Sequence, residues 1–172
     1  MAISERNPGC QFERTAKGEL VVAPTSSEGG RRDLELGYQL KPWSDRTGLG
    51  VAFGPSTGWN LPDGSCRSPN ASWVALARWV ALPPADRRGF ARLCPDAVFE
   101  LRSPSASMAE LRAKMRMYLE HGARLGVLID PEAQAVEVHR PGRAPERVED
   151  AQPAALDPEL PGFTLELRQL FA

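Results

Sequence analysis

A chain of 172 residues with 42% hydrophobic and 25% charged residues is expected to fold as one domain, residues 1–172, around a sizeable core. Its formal net charge of −1 excludes the overall basic balance of a typical nucleic-acid-binding protein, so such a role requires a local basic groove. No apolar run approaches the ~20 residues of a membrane span, and no signal pattern is recognised, so we expect a cytoplasmic protein without a membrane segment.

The cysteines and histidines do not form a metal-binding pattern. Cys10, Cys66 and Cys94 lie far apart, and no Cys-x-x-Cys or Cys/His spacing typical of zinc occurs. Separate thiols are typical of a reducing cytosol. His121 and His139 have no partner at ligand spacing and are interpreted as helix-end or surface residues.

The first regular structure predicted is a β-hairpin. Residues 1–10 are polar, and we expect them to be loose. Strands at 11–14 and 19–23 are joined by the turn-forming residues 15–18. A hairpin at the N-terminal edge of the fold is therefore expected.

A helix is predicted from about residue 30 to residue 44. Leu36, Leu40 and Trp43 recur at helical spacing and form one apolar face. The middle of the chain then predicts short strands at 50–54 and 58–61, which we expect to pair with each other, and an apolar strand at 71–76.

The strand from Asp96 to Arg102 carries the most informative side chains. Period-two alternation divides it into two faces, one with Ala97, Phe99 and Leu101 and the other with Asp96, Val98, Glu100 and Arg102. Carboxylates on one strand face can hold Mg²⁺ or Mn²⁺, and a nearby cation can neutralise charge in a transition state. The alternative is an exposed sheet face with a Glu–Arg pair.

A helix is predicted directly after this strand. The Ser-Pro-Ser corner at 103–105 ends the strand, because Pro donates no hydrogen bond to a ladder. Ser107 and Glu110 fit a capping box, and the helix is expected to run to about His121. Lys114 lies beside the apolar stripe of this helix, whose N-terminus is also a place where a phosphate can bind.

The remaining segments complete a mixed sheet. The continuous apolar run at 125–129 predicts a strand buried on both faces, and residues 135–139 predict its neighbour. Residues 141–161 are expected to form a surface meander, with a last strand at 163–167. We predict an α/β protein with a central mixed β-sheet flanked by helices and an N-terminal β-hairpin.

Three runs of sequence resemble one family. PDAVFELRSPS…LRAKMRMYLEHGARLGVLIDP, GLGVAFGPSTGWNLPDGSCRSPNASWV and LPGFTLELRQLF are similar to the Uma-two family of putative restriction endonucleases, which belongs to the PD-(D/E)XK nuclease superfamily. The resemblance implies a restriction-endonuclease-like fold. It also implies hydrolysis of DNA phosphodiester bonds with Mg²⁺ or Mn²⁺.

The resemblance also implies a catalytic set of Glu100, Arg102 and Lys114. Glu100 matches the metal-binding Glu of the superfamily. Arg102 stands where the superfamily has a Lys, and because Arg stays protonated at pH 7 it can stabilise charge but cannot act as a base. Lys114 matches a Lys common in the family on the following helix and would supply the amine.

The metal ligands implied by the resemblance are Glu100 and Asn70. The family usually has RSPD where this chain has RSPN, and a neutral amide binds Mg²⁺ less well than a carboxylate. Asp96 shares the strand face with Glu100, but four extended residues span about 13 Å, too far for both to ligate one ion. Glu28 and Arg31 match a region that borders the active site in the family; a solvated helix start is the alternative.

Three functions remain open at this stage. The chain is a metal-dependent endonuclease weakened at Asn70, a catalytically inactive nuclease fold that binds nucleic acid or a protein partner, or an interaction domain unrelated to nucleic acid. DNA is the expected partner. A homodimer is also expected, from exposed Trp and Pro in residues 79–84 and from the need of many nucleases to cut two strands.

Overall fold

The computed structural model of the chain describes residues 11–23 and 25–172. The expectation for residues 1–10, including Cys10, therefore lies outside the described residues. The helices are α1 (Ser27–Thr47), α2 (Leu76–Ala81), α3 (Pro84–Arg87), α4 (Met108–Glu120) and α5 (Arg168–Phe171). The strands are β1 (Gln11–Arg14), β2 (Leu20–Ala23), β3 (Gly50–Phe53), β4 (Trp59–Asn60), β5 (Cys66–Arg67), β6 (Ala71–Ala75), β7 (Ala97–Leu101), β8 (Leu125–Asp130), β9 (Ala135–His139), β10 (Glu146–Glu149), β11 (Ala154–Ala155) and β12 (Thr164–Leu165).

A six-stranded mixed sheet with the order β10-β9-β8-β7-β6-β3 forms the centre of the fold. Within it β7 and β8 are parallel, and their crossover contains α4. A second, antiparallel sheet has the order β2-β1-β5-β4 and includes the predicted N-terminal hairpin. The predicted α/β class with a central mixed sheet is confirmed.

A separate hydrophobic core lies on each face of the central sheet. On one face α1 packs with Leu36 and Leu40 against Phe99, and on the other α4 packs with Met115 and Tyr118 against Val98. The predicted division of β7 into two faces is confirmed, because Phe99 and Val98 lie in different cores. The expectation of an exposed polar face is wrong: β7 lies between β6 and β8, and α4 covers the Val98 face.

Helix α1 is longer than predicted at both ends. Its N-terminus is set by Ser26, whose Oγ accepts a hydrogen bond of 3.1 Å from the N–H of Gly29. A Ser cap satisfies one of the free N–H groups of the first turn, and this outweighs the low helix propensity of Gly29 and Gly30. The helix then continues past Pro42 and ends at Gly48, which has a φ of 64° and suits the left-handed conformation.

The predicted pairing of β3 with β4 is wrong. β3 pairs with β6 in the central sheet, whereas β4 pairs with β5 in the second sheet. The two strands are nevertheless held together by side chains, since the rings of Phe53 and Trp59 meet edge to face at 4.9 Å. Sequence proximity was a poor guide here because the contact is made by packing rather than by the backbone.

In the part of the chain that the structure describes, no helix combines the length and the apolar character needed to cross a lipid bilayer.

Replacement by alanine is expected to change the free energy of unfolding in opposite directions at Gly50 and at Gly37. A Cβ on Gly50 would lie 2.3 Å from the backbone oxygen of Val74 and 2.3 Å from the ring of Trp73, whereas a Cβ on Gly37 meets nothing within 4 Å. Gly50→Ala is expected to lower the free energy of unfolding by about 2 kcal/mol or more through overpacking. Gly37→Ala in mid-helix should raise it by about 0.5–1 kcal/mol. Urea denaturation of both variants checks this, and equal effects would contradict it.

Candidate active site around Lys114

The side chain of Lys114 lies between two buried carboxylates. Its Nζ is 2.8 Å from Oε1 of Glu100 and 2.8 Å from Oε1 of Glu13. The hydroxyl of Tyr118 donates a hydrogen bond of 3.1 Å to the same Oε1 of Glu100. The exposed fractions of the three charged side chains are 18% for Lys114, 13% for Glu13 and 6% for Glu100. The structure therefore brings the predicted pair Glu100 and Lys114 into contact and adds Glu13 to them.

Local structure explains how α4 delivers Lys114 to β7. Ser107 caps the helix, and its Oγ accepts a hydrogen bond of 3.4 Å from the N–H of Glu110, as predicted. Residues four apart share a helix face, so Lys114 and Tyr118 both reach the strand. Gly126 on β8 leaves room for the sulfur of Met115, which would lie 2.9 Å from a Cβ there.

Two groups at or just after β5 bind the carboxylate of Glu13. Nη1 of Arg67 on β5 lies 3.2 Å from Oε2 of Glu13, and the N–H of Ser68 donates a hydrogen bond of 2.8 Å to Oε1. We refer to Glu13, Arg67, Glu100, Lys114 and Tyr118 as the Lys114 cluster. The cluster contains two carboxylates and two permanent cations, so its charges balance.

The pKa values in the Lys114 cluster shift in different directions. Burial raises the pKa of Glu100, and the opposing attraction of Lys114 does not offset it. Burial also acts on Glu13, but Lys114, the Ser68 N–H and Arg67 together lower its pKa below the usual value. Burial opposes the charge on Lys114, yet Glu100 and Glu13 raise its pKa. The ammonium is thus stably protonated, and Glu100 is the more basic of the two carboxylates.

The amide of Asn70 is occupied by the backbone and by Asp33. Strand register pairs Ala71 with Phe99, which puts Asn70 next to the backbone at Glu100. Its Oδ1 accepts a hydrogen bond of 2.7 Å from the N–H of Leu101, and its Nδ2 donates one of 2.8 Å to Oδ1 of Asp33. The predicted ligand Asn70 is therefore near Glu100 in the sheet, but its hydrogen bonds join Leu101 on β7 and Asp33 on α1, not Lys114. Burial raises the pKa of Asp33.

Arg102 turns away from Glu100 toward the end of β8. Its Nη1 lies 3.0 Å from Oδ2 of Asp130 and 3.1 Å from Oε2 of Glu132. Its Nε donates to the carbonyl of Ala106 at 3.3 Å. These contacts hold the corner between β7 and α4, and they do not include a residue of the Lys114 cluster.

Asp96 lies just before β7, at the end of the strand away from Arg102, where it makes structural contacts. Its Oδ2 accepts a hydrogen bond of 2.9 Å from the N–H of Ala75, and its Oδ1 lies 2.9 Å from Nη1 of Arg78. The side chain is buried, with 5% exposed. Among the described residues it makes no contact with Glu100, as the expected spacing along the strand implied.

Glu28 and Arg31 lie together on the first turn of α1. Nη2 of Arg31 is 2.8 Å from Oε1 of Glu28, and its Nη1 donates a hydrogen bond of 3.0 Å to the carbonyl of Gln169. A further hydrogen bond runs to the carbonyl of Ala172. Hydrogen bonding to Arg31 lowers the pKa of the exposed Glu28. The pair joins α1 to α5, and its contacts in the described chain do not reach the Lys114 cluster.

Several residues of this region were missed by sequence reasoning. Tyr118 carried a signal, because it follows Lys114 by four residues on one helix face. Glu13, Arg67 and Asp33 carried none, since each meets its partner across 37 or more positions of the chain. A contact of that range depends on how separate sheets and helices pack.

The fold is a mixed α/β architecture with a buried polar cluster between its two sheets and α4. Among solved structures the chain is similar to a putative nuclease from Anabaena variabilis ATCC 29413, with a TM-score of 0.79, 20% identity, and coverage of 93% of this chain and 89% of that one. At this identity the likeness shows the fold, and it confirms the predicted restriction-endonuclease-like class. No curated protein matches the chain.

The family is shown by the sequence itself. The model of the Uma2 family, described as "Putative restriction endonuclease", matches residues 1–168. The chain belongs to this Uma2 (Uma-two) family, as the resemblance predicted.

Without the Lys114 ammonium, the free energy of unfolding is expected to depend on pH through Glu13 and Glu100. Lys114→Met should lower the free energy of unfolding at pH 7 by about 3–5 kcal/mol, because it leaves buried charges unpaired. Without the cation both glutamates have raised pKa values in the folded state, so folding takes up protons and the variant gains stability as pH falls toward about 5. In the wild type the lowered pKa of Glu13 acts in the opposite direction, so the stability that Glu13 contributes is lost in acid. Glu100 has a raised pKa with or without Lys114, so Glu13 makes the difference. The difference between the two proteins therefore narrows as pH falls.

Urea denaturation at both pH values measures this difference, with Lys17→Met in the exposed hairpin turn as the charge-matched control. A deficit of the Lys114 variant that is the same at both pH values would contradict the prediction.

Exchange of Asn70 and Asp33 tests their hydrogen bond. Asn70→Asp puts a second carboxylate 2.8 Å from Oδ1 of Asp33 and is expected to cost about 1–3 kcal/mol at pH 7. The double variant Asn70→Asp with Asp33→Asn restores one donor and one acceptor and should recover most of the loss. Thermal melts of the single and double variants decide this, and additive losses would show that the two side chains are independent.

Proposed function

We propose that the protein is a metal-dependent endonuclease that hydrolyses DNA phosphodiester bonds at the Lys114 cluster. Membership of a family described as restriction endonucleases supports the reaction class. The observation that carries the location is the convergence of Glu13 and Glu100 on one ammonium, at 2.8 Å each. Two carboxylates and a cation at one place are groups that phosphoryl-transfer chemistry uses.

The chemistry of the donor set fits a hard divalent cation. Mg²⁺ retains several waters and is commonly bound through one or two carboxylates together with substrate phosphates, so Glu13 and Glu100 would hold it. When bound, the ion supplies Lewis-acid stabilisation and an activated water. Lys114 must shift from its position between the carboxylates when the ion binds. Asn70 stays outside the donor set, because both polar atoms of its amide are engaged.

The side chains of the cluster have separate roles in this proposal. The attacking water forms a bond to phosphorus and gives its proton to Glu100, a carboxylate that can serve as general base. The bond from phosphorus to the leaving oxygen breaks, and that oxygen takes a proton from solvent. Lys114 neutralises the charge that develops on the phosphate oxygens. Tyr118 orients Glu100 through its hydrogen bond.

The low exposure of the cluster makes substrate access part of the proposal. Arg67 and Glu13, on β5 and β1, shield Glu100 and Lys114 from solvent, with 16% and 13% of their own side chains exposed. A phosphodiester therefore has to approach Glu100 past these two side chains.

Asn70 is expected to weaken the activity. In the family an Asp usually stands at this position, whereas here the amide is used to hold Leu101 and Asp33. The second candidate function, an inactive nuclease fold that binds nucleic acid or a protein, is favoured by the same observation. Arg102 adds to it, because this predicted catalytic cation is paired with Asp130 and Glu132.

The homodimer stays a prediction. Trp79, on which it was partly based, is half-buried and packs against Phe53 at 4.9 Å. Leu76 and Val80 of the same helix are exposed, at 43% and 58%. These two side chains offer apolar surface beside the edge strand β3.

Plasmid nicking distinguishes the two candidate functions. The wild-type protein is expected to convert supercoiled plasmid to the open circle in Mn²⁺ or Mg²⁺ and not in chelator. Glu100→Gln, which keeps the shape and the acceptor for Tyr118, should lower the rate by about 100-fold or more, because it removes both base and ligand. Glu120→Gln, at the exposed end of α4, is the matched control and should nick at the wild-type rate. Metal-independent nicking, or equal rates for the two variants, would contradict the proposed site; no nicking at all would favour the inactive fold.

A further inference from the structure

A cavity of about 480 Å³ opens at the carboxyl end of α4. Its wall comes from the turn between β4 and β5, from the loop that precedes β7 and from the end of the helix. The cationic or potentially cationic side chains that line it are Arg14, Arg78, Arg92 and His121. A volume of this size is in the range of small-ligand sites, about 300–1,000 Å³.

The charge at this cavity is positive although the chain as a whole is not. Arg78 is paired with Asp96 at 2.9 Å, and His121 lies 3.2 Å from Oδ2 of Asp63. Neither of these two carboxylates belongs to the wall. Within residues 11–23 and 25–172 the exposed Arg92 makes no hydrogen bond or ion pair. Its whole guanidinium is available to a ligand.

The geometry of the wall suits an anion. Nη2 of Arg14 donates a hydrogen bond of 2.9 Å to the carbonyl of Gly64, and Nη2 of Arg78 donates one of 3.0 Å to the carbonyl of Cys94. These bonds hold two guanidinium groups at the rim and leave other N–H groups free. Arginine groups recognise phosphate oxygens through paired N–H donors.

Two carbonyls at the carboxyl end of α4 are engaged within the chain. The carbonyls of Tyr118 and Leu119 accept hydrogen bonds from the N–H groups of Ala123 and Gly122, at 3.0 and 3.1 Å. The thiol of Cys94 also donates to the Tyr118 carbonyl, at 3.4 Å. The carbonyls of Tyr118 and Leu119 therefore already have donors within the chain.

The cavity lies close to the Lys114 cluster and shares two elements with it. Adjacent residues of β1 serve both places, since Glu13 contacts Lys114 and Arg14 lines the cavity. On α4 the cluster residue Lys114 and the cavity residue His121 are seven positions apart, which is about 10 Å along a helix. One nucleic-acid strand covers that distance in about three nucleotides at about 3.4 Å each.

We infer that this cavity binds a backbone phosphate of a nucleic-acid strand whose phosphodiester about three nucleotides away lies at the Lys114 cluster. The inference rests on the proposed function for the second half of that statement. Arg92 makes the main contact with the phosphate, and Arg14 and Arg78 add to the positive electrostatic potential around it. Leu61, Pro62 and Leu93 form an apolar part of the wall, against which a sugar can pack.

Binding in chelator tests the cavity separately from catalysis. The probe is a fluorescein-labelled single strand of about 12 nucleotides, and anisotropy is measured at about 50 and 200 mM salt. Arg92→Gln is expected to weaken binding by about 5–10-fold at low salt and to reduce the salt slope by about one. The control is Arg124→Gln, an exposed arginine just beyond α4 that is not part of the wall; it should change binding by less than about twofold.

Each outcome of this experiment decides a separate point. Equal losses for Arg92→Gln and Arg124→Gln, or no binding by the wild type, overturn the inference. Inorganic phosphate and a nucleoside monophosphate are the competitors; if they bind through Arg92 and the strand does not, the ligand is a free phosphate and the nucleic-acid assignment is wrong. Binding that depends on Arg92 without any nicking retains the cavity and removes the proposed hydrolysis. Nicking together with binding that does not depend on Arg92 retains the proposed hydrolysis and rules out the cavity as the phosphate site.

Discussion

The structure depends on the position of one ammonium group between two buried carboxylates. Lys114 on α4 contacts Glu100 on the central sheet and Glu13 on the second sheet, so three elements meet at one charge. Two ionised glutamates this close and this well buried would repel each other strongly without a cation. Arg67 and the Ser68 N–H complete the neutralisation of Glu13. The packing of the N-terminal hairpin against α4 is thus linked to electrostatic balance.

The same balance affects what the site can do. A carboxylate pair that is neutralised by an internal cation is stable without metal, and a divalent ion has to displace that cation to bind. Two further positions that the family resemblance associates with chemistry are committed to structure here: Asn70 to Leu101 and Asp33, and Arg102 to Asp130. Under the proposed function, stability and catalysis would therefore compete for the same groups.

Helix α4 connects the two proposed sites because its middle and its carboxyl end both carry polar side chains. Near its middle, Lys114 and Tyr118 meet a carboxylate inside the protein. At its carboxyl end, His121 borders a cavity rich in arginine. A net charge of −1 for the whole chain conceals this local concentration of positive charge, because net charge does not report how charges are distributed.

Local sequence determined the elements, and tertiary packing decided the site. Period-two alternation identified both faces of β7, the apolar run identified β8 as buried, and Ser107 identified the start of α4. These features were predictable because burial patterns and helix caps depend on residues that are close in sequence. The pairing of β3 with β6 and the partners of Lys114 and Asn70 had no such signal. The contact of Lys114 with Glu13 spans 101 positions, and the shape of the whole fold brings these side chains together. Periodicity reports which face of an element is buried, but it cannot report which distant element will cover that face.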